Sequence, residues 1–286
     1  MKFLKKASLL LFILILSPVY SQDDLLKELD TISNNKQVAL ATFKGAQICT
    51  MQSTKLASKN EWYFVVSHRF GDLTKGFSNF FGMDSALTKL GALYGVNESL
   101  TLGVSRHTYN KIYELSAKYK IANQYSNGFP FTIVGYNTFD INSDLSTDLY
   151  PALTTSNRFA FSSQLLISRK FSEKFSAEIN PIFIRKNLID QLTERKDNFL
   201  VGIGGRYKIS KRMSINAEYG ARLNAVETTN YHNPLSLGLD IDTGGHVFQM
   251  VFSNSQAMND VAYFTNATGS LNGSGIYFGF NMYRVF

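Results

Sequence analysis

The 286-residue chain is 44% hydrophobic and 14% aromatic, carries a formal charge of +7, and contains a single cysteine. One cysteine excludes an intramolecular disulfide. After loss of Lys2, Lys5 and Lys6 with an N-terminal leader the charge is +4, too mild to argue for a nucleic-acid partner, and no nucleic acid is expected.

The first element is that leader. Three lysines precede the apolar run 9–16, which is shorter than the roughly 20 residues a membrane-spanning helix needs, and Ser17-Pro-Val-Tyr-Ser21 supplies small residues for cleavage. Residues 1–21 therefore read as a secretory signal peptide. Residues 22–60 are expected to lie in the periplasm or to plug a lumen. Within them, 23–35 is polar with one apolar stripe, and 36–56 looks like one or two short extended pieces.

From Glu61 onward the side chains alternate with the period of two that defines a strand with two unlike faces. Trp62, Phe64 and Val66 oppose Tyr63, Val65 and Ser67; Leu100, Leu102 and Val104 oppose Thr101, Gly103 and Ser105; Tyr113, Leu115, Ala117 and Tyr119 oppose Glu114, Ser116, Lys118 and Lys120. The pattern recurs around Phe129–140, 159–168, 175–180, 199–206, 215–223, 235–242 and 248–253, and it ends with the chain. Ile276, Phe278, Phe280, Met282 and Phe286 share one face, while Gly275, Tyr277, Gly279, Asn281 and Tyr283 share the other. An aromatic strand at a chain end would be an aggregation-prone edge in an open sheet, whereas a closed membrane barrel has no edge. The fold class predicted for 61–286 is all-β, a transmembrane antiparallel up-and-down β-barrel of about 12 strands, or about 14 if 36–56 adds a further pair.

Loop lengths agree. Connections near 97–98, 171–174, 210–213 and 243–245 are tight, while those at 71–88, 141–157, 187–197, 226–233 and 254–272 are longer and polar. Outer-membrane barrels have short periplasmic turns and long external loops, and with Phe286 in the periplasm all of these connections fall on the appropriate side.

The expected inner face mixes charges: Glu114, Lys118, Lys120, Glu178, Arg206, Glu218, Arg222 and Asp240 are the candidate lumen-lining residues. A barrel of about eight strands is filled by side chains and one of sixteen to eighteen holds a channel, so about twelve leaves a pore and a plug both open. Inward glycines fit either free space or a packed plug. Ser105 and His107 share a face about 7 Å apart by strand rise, too far for a nucleophile and its base without further approach. Asp240-Ile-Asp242-Thr-Gly244 begins like a calcium loop but lacks the later ligands, and reads as a hairpin turn. No enzymatic activity, cofactor or metal is expected.

Several fragments together carry a resemblance: Ser67-His-Arg-Phe-Gly71, Phe80-Phe-Gly-Met-Asp84, Leu93-Tyr-Gly-Val96, Leu100-Thr-Leu-Gly-Val-Ser-Arg106, Phe278-Gly-Phe-Asn281 and Arg284-Val-Phe286. In this order the chain resembles an uncharacterised family of outer-membrane β-barrel proteins of Gram-negative bacteria, known only as a domain of unknown function. The resemblance implies a barrel in the bacterial outer membrane and assigns no residue a role. The close of the chain, Phe280, Met282 and Phe286, looks like the signal by which such barrels are handed to the barrel-assembly machinery. Expected partners are that machinery, outer-membrane lipid and a small solute. The expected function is a porin-like passive channel for small solutes, with a closed structural or adhesion barrel acting through its extracellular loops as the alternative.

Overall fold

In the computed structural model the described residues are 42–244, 246–270 and 273–286. The signal-peptide reading of 1–21 and residues 22–41 of the 22–60 segment lie outside them. Twelve strands are formed: β1 (Trp62–Asp72), β2 (Leu87–Asn97), β3 (Leu100–His107), β4 (Ile112–Ala122), β5 (Thr132–Asn142), β6 (Phe159–Lys170), β7 (Phe175–Lys186), β8 (Asp197–Lys208), β9 (Met213–Arg222), β10 (Leu235–Asp242), β11 (His246–Ser253) and β12 (Tyr277–Val285). Every strand pairs antiparallel with its sequence neighbour, and β1 pairs with β12, so the sheet is a closed barrel.

The seam joins the first and last strands. Tyr63 faces Val285 and Ser67 faces Asn281, and beyond the last pair Trp62 N–H donates to Phe286 O (3.2 Å) while Phe286 N–H donates to Trp62 O (2.9 Å). Phe286 therefore extends the seam's hydrogen-bond ladder by one pair.

Alternation sorts the two faces. Outside lie Trp62, Phe64, Leu102, Leu115, Phe199, Ile203, Ile215, Leu237 and Phe252, all exposed. Inside lie Ser67, Thr101, Glu114, Asn180, Glu218, Gln249 and Asn281, all buried. This is the reverse of a water-soluble barrel and the expected arrangement where lipid is the outer solvent. Among the described residues no helix is long and apolar enough to cross a membrane.

The long connections gather at one end. Residues 73–85, 143–158, 187–196, 223–234 and 254–276 mark this loop end, and 98–99, 171–174 and 209–212 mark the opposite, turn end. Two connections break the length rule: 108–111 at the loop end is short, and 123–131 at the turn end is long. The loop-end connection between β11 and β12 dips inward and forms a short helix, α1 (Asp260–Thr265), whose six residues are all buried.

Residues 42–57 do not join the wall, and the ring closes at twelve strands rather than fourteen. They form a hairpin inside the barrel: Gln47 bridges Gln52, Ile48 N–H donates to Met51 O (2.8 Å), and Ser53 N–H donates to Ala46 O (2.9 Å).

Candidate functional site in the barrel lumen

A lumenal hairpin needs partners for its free backbone groups, because a buried unpaired N–H or C=O costs stability. The wall supplies them. Glu218 on β9 receives three backbone N–H groups, from Cys49 (2.8 Å), Thr50 (2.8 Å) and Met51 (3.0 Å), and also the hydroxyl of Tyr263 on α1 (2.8 Å). Glu178 on β7 accepts from Thr54 N–H (3.0 Å). Lys118 on β4 donates to Ala46 O (3.0 Å) and Ser53 O (2.9 Å). Asn216 and Gln249 donate to Ile48 O, and Asn281 donates to Cys49 O (2.7 Å). Arg69 on β1 is fully buried and donates to Asn281 Oδ1 (3.0 Å) and Thr50 Oγ1 (3.3 Å). The carboxylate cradled by successive N–H groups is the strongest anchor, because hydrogen bonds to ionised groups exceed neutral ones.

Glycines make the fit possible. A Cβ at Gly202, Gly204 or Gly238 would press into Met51, Ile48 or Cys49 respectively. The apolar side chains of the hairpin thus sit where the wall has none. Met51 joins Ile182, Ile184, Leu200, Val261, Tyr263 and Phe264 in one core, so hairpin, wall and α1 pack as a unit. Burial, followed by the Glu218 and Asp240 carboxylates, pushes the Cys49 thiol well above its ordinary range.

All eight candidate lumen residues lie on the inward face, and they divide by task. Glu218, Glu178 and Lys118 hold the hairpin, and Arg206 reaches Thr42 O at 3.4 Å. Arg222 holds the inward loop through Thr265 O (3.4 Å) and Tyr231 O. Asp240 accepts from Gln249 Nε2 (2.6 Å) and Ser214 Oγ (3.3 Å). Glu114 pairs with Lys89 (3.1 Å). Lys120 lines a recess of about 200 Å³ at the turn end with Thr42, Lys55 and Glu98. Arg69, Lys89, Asn216 and Gln249 were not among the candidates. Each shares the inward parity of its strand, but parity alone does not separate an anchor from a bystander.

Glu114 also brings Ser105 and His107 together. Ser105 Oγ lies 2.9 Å from His107 Nε2 and donates to Glu114 Oε1 (3.0 Å). The carboxylate approaches the same Nε2 at 3.6 Å, and Nδ1 has no partner. In a catalytic triad the acid holds the opposite ring nitrogen. Here serine and acid crowd one nitrogen, and Ser105 and His107 are only 6% and 0% exposed. Lys44 closes on Asp242 (2.6 Å), whose side chain also accepts from Gly244 N–H, so the Asp-rich segment is a hairpin turn with Gly244 at φ 96°. Among the described residues no three His, Cys, Asp or Glu side chains are arranged to hold a metal ion.

Little free volume remains between hairpin and wall. The cavity bordered by Gln47, Ser105, Glu114, Lys118 and Tyr136 measures about 30 Å³, room for about two waters. At the loop end a larger polar vestibule of about 390 Å³ opens above α1. Asn259, Val261 and Asn266 line it together with Tyr109, Tyr150 and Tyr231. Burial, then Tyr231 and Glu194, push the Tyr109 phenol up to about 12, so it stays protonated.

Comparison with known proteins agrees with this architecture. The family described as "Membrane bound beta barrel domain (DUF5777)" matches residues 43–286. The solved NanC porin superposes with a TM-score of 0.52 at 10% identity, over 77% of this chain and 98% of that one. The KdgM porin gives 0.48 at 10% identity, over 78% and 99%. At such identity the likeness to NanC speaks to the fold alone. No curated protein matches the sequence.

Proposed function

The chain belongs to the family of membrane-bound β-barrel domains designated DUF5777, and on that premise we propose that it is an outer-membrane barrel whose passage for small solutes is controlled by its own lumenal hairpin. The observation that carries this reading is the occupation of the lumen by residues 42–57, held mainly by hydrogen bonds from side chains on separate strands. Polar anchors exchange with water at modest net cost where water reaches them, so opening chiefly costs the apolar packing of Ile48, Cys49 and Met51. The barrel is porin-like in plan and closed at rest, and it conducts when the hairpin shifts. Loops face the exterior and Phe286 the periplasm, lipid covers the outer aromatic and aliphatic side chains, and Phe280, Met282 and Phe286 present the assembly signal. No catalytic role is assigned.

Single-channel recording of the refolded full chain in planar bilayers, run beside alkylation of Cys49, tests this reading. The native chain should stay mostly closed with Cys49 unreactive. A Glu218→Ala/Lys118→Ala variant should open often and label readily. Steady conductance by the native chain with Cys49 still protected would reject hairpin control.

A second reading, a permanently closed barrel acting through its loops, draws on the segment Leu73–Ser85. Its Phe77 is 83% exposed, and Phe80 and Phe81 take positive φ. Absence of current in every variant, even where Cys49 labels, would favour it.

A further inference from the structure

Asn137 on β5 and Ser163 on β6 break the apolar pattern of the outer wall. They face each other across the ladder and share the outward parity of Phe139, Phe161 and Leu165. Asn137 is half-buried and Ser163 exposed. Asn137 lies five residues from either end of β5, so the pair sits at mid-wall. Beside them Tyr119 of β4, also exposed, lays its ring across Gly135, where a Cβ would meet ring carbons and the hydroxyl. Among the described residues none of these three polar side chains has a hydrogen-bond partner. Hydrocarbon holds no water to supply one, and a polar group left unpaired there is costly.

The wall is also hollowed at this place. A recess of about 470 Å³ is bordered by Tyr119, Asn137, Ser163, Leu165, Pro181 and Phe199. Pro181 is unusual in a strand paired on both sides, because proline in a sheet is ordinarily confined to edges and bulges. Next to it the β6–β7 pairing lapses between Gln164↔Ile182 and Ile167↔Ile179, and resumes in the same register. The buried residues Gln164, Ile182 and Leu200 border the recess as well, so it reaches the backbone of the wall. A second copy of the barrel fits this shape poorly. A twofold axis through the patch would set recess against recess and hold the polar groups apart.

We propose that the recess binds a membrane-dissolved aliphatic chain that carries a hydroxyl group along its length. The chain lies against Leu165, Phe183 and Phe199, and its hydroxyl meets Asn137 and Ser163. The amide of Asn137 donates and accepts, as do the hydroxyls of Ser163 and Tyr119. A hydroxyl on the chain answers them in either sense, whereas a bare chain answers in neither. The volume falls in the range of small-ligand sites, roughly 300–1,000 Å³. The site rests on the outer wall facing lipid and is independent of the hairpin, so it survives failure of the channel reading.

Native mass spectrometry of the refolded full chain in nonionic detergent, offered equal amounts of methyl ricinoleate and methyl oleate, tests the proposal. The two esters differ only in a mid-chain hydroxyl. Ricinoleate should be retained about fivefold over oleate, the order of one net hydrogen bond. Asn137→Leu/Ser163→Ala makes the patch apolar and should bring the two esters to equal retention, with heat-modifiable mobility intact. Tyr119→Phe keeps the ring over Gly135 and serves as the second variant; it should lower the preference part of the way. Equal retention of the esters by the native chain would overturn the proposal. So would a preference unchanged in the double variant or, should that protein fail to fold, in Tyr119→Phe. Native barrel dimers that the double variant splits apart would assign the patch to a second copy and overturn it too.

Discussion

At Glu218 one carboxylate answers three consecutive backbone N–H groups and a tyrosine hydroxyl. Removing it leaves those donors buried and unpaired. Glu218→Ala should therefore destabilise the folded barrel by about 3 kcal/mol, read as a lower midpoint of heat-dependent gel mobility. Glu218→Gln, which keeps one acceptor, should cost less. The glycines facing the hairpin predict a separable effect. Gly202→Leu should expel Met51 rather than break the wall, because the first atom it meets is the mobile end of a side chain. Barrel mobility would then be retained while Cys49 alkylation rises. Gly95 differs, since a Cβ there would strike the Ser58 carbonyl, a backbone atom that cannot swing aside. The sequence made the inward position of Glu218 legible through its alternation with Ala217 and Tyr219. Its role was not legible, because the groups it binds lie about 168 residues earlier and are backbone N–H groups, which no side-chain pattern reports.

Among the elements, the strands were readable and the hairpin's location was not, for one physical reason. A wall strand has unlike solvents on its two faces, which forces a period of two. The hairpin is surrounded on all sides, so Ile48, Cys49 and Met51 are buried together with Thr50 and Gln52, and no period survives. α1 escaped notice for the same reason: all six of its residues are enclosed. Its Asp260 gives this element a pH dependence. Burial, reinforced by Glu114, raises the Asp260 carboxyl above its ordinary value. The folded state then keeps a proton that the unfolded chain has released. This contribution to stability is complete below the ordinary carboxylate value of about 4 and is lost as the pH rises through the raised one. The native chain should gain more stability than Asp260→Asn when the pH falls from 7 to 4. Unfolding midpoints of the two proteins at both pH values check this, and equal gains would refute it.

For the molecule as a whole, twelve antiparallel strands close on themselves, and β1 and β12 make the seam. Deleting Phe286 removes both of its hydrogen bonds to Trp62 along with an exposed aromatic side chain at the turn end. The yield of heat-modifiable barrel should fall, while barrels that do form should keep Cys49 protected, because the hairpin is also anchored away from the seam, on β4, β7, β8 and β9 among others. The strand number could be read from alternation, and most of the loop end from connection length, with 108–111 and 123–131 as the exceptions. How full the interior is could not. The same polar inward residues suit a water column or a folded insert, and only the donors and acceptors of residues 42–57 decide between them.

The position of that insert dictates an order of events. A hairpin hydrogen-bonded from at least seven strands and packed against α1 would have to make all of those contacts at once if it threaded into a finished cylinder. The simpler order sets it in place while the first and last strands are still apart. Residues 42–57 would then act as a mandrel around which the sheet is wound, and a chain lacking them would have to find its circumference unaided.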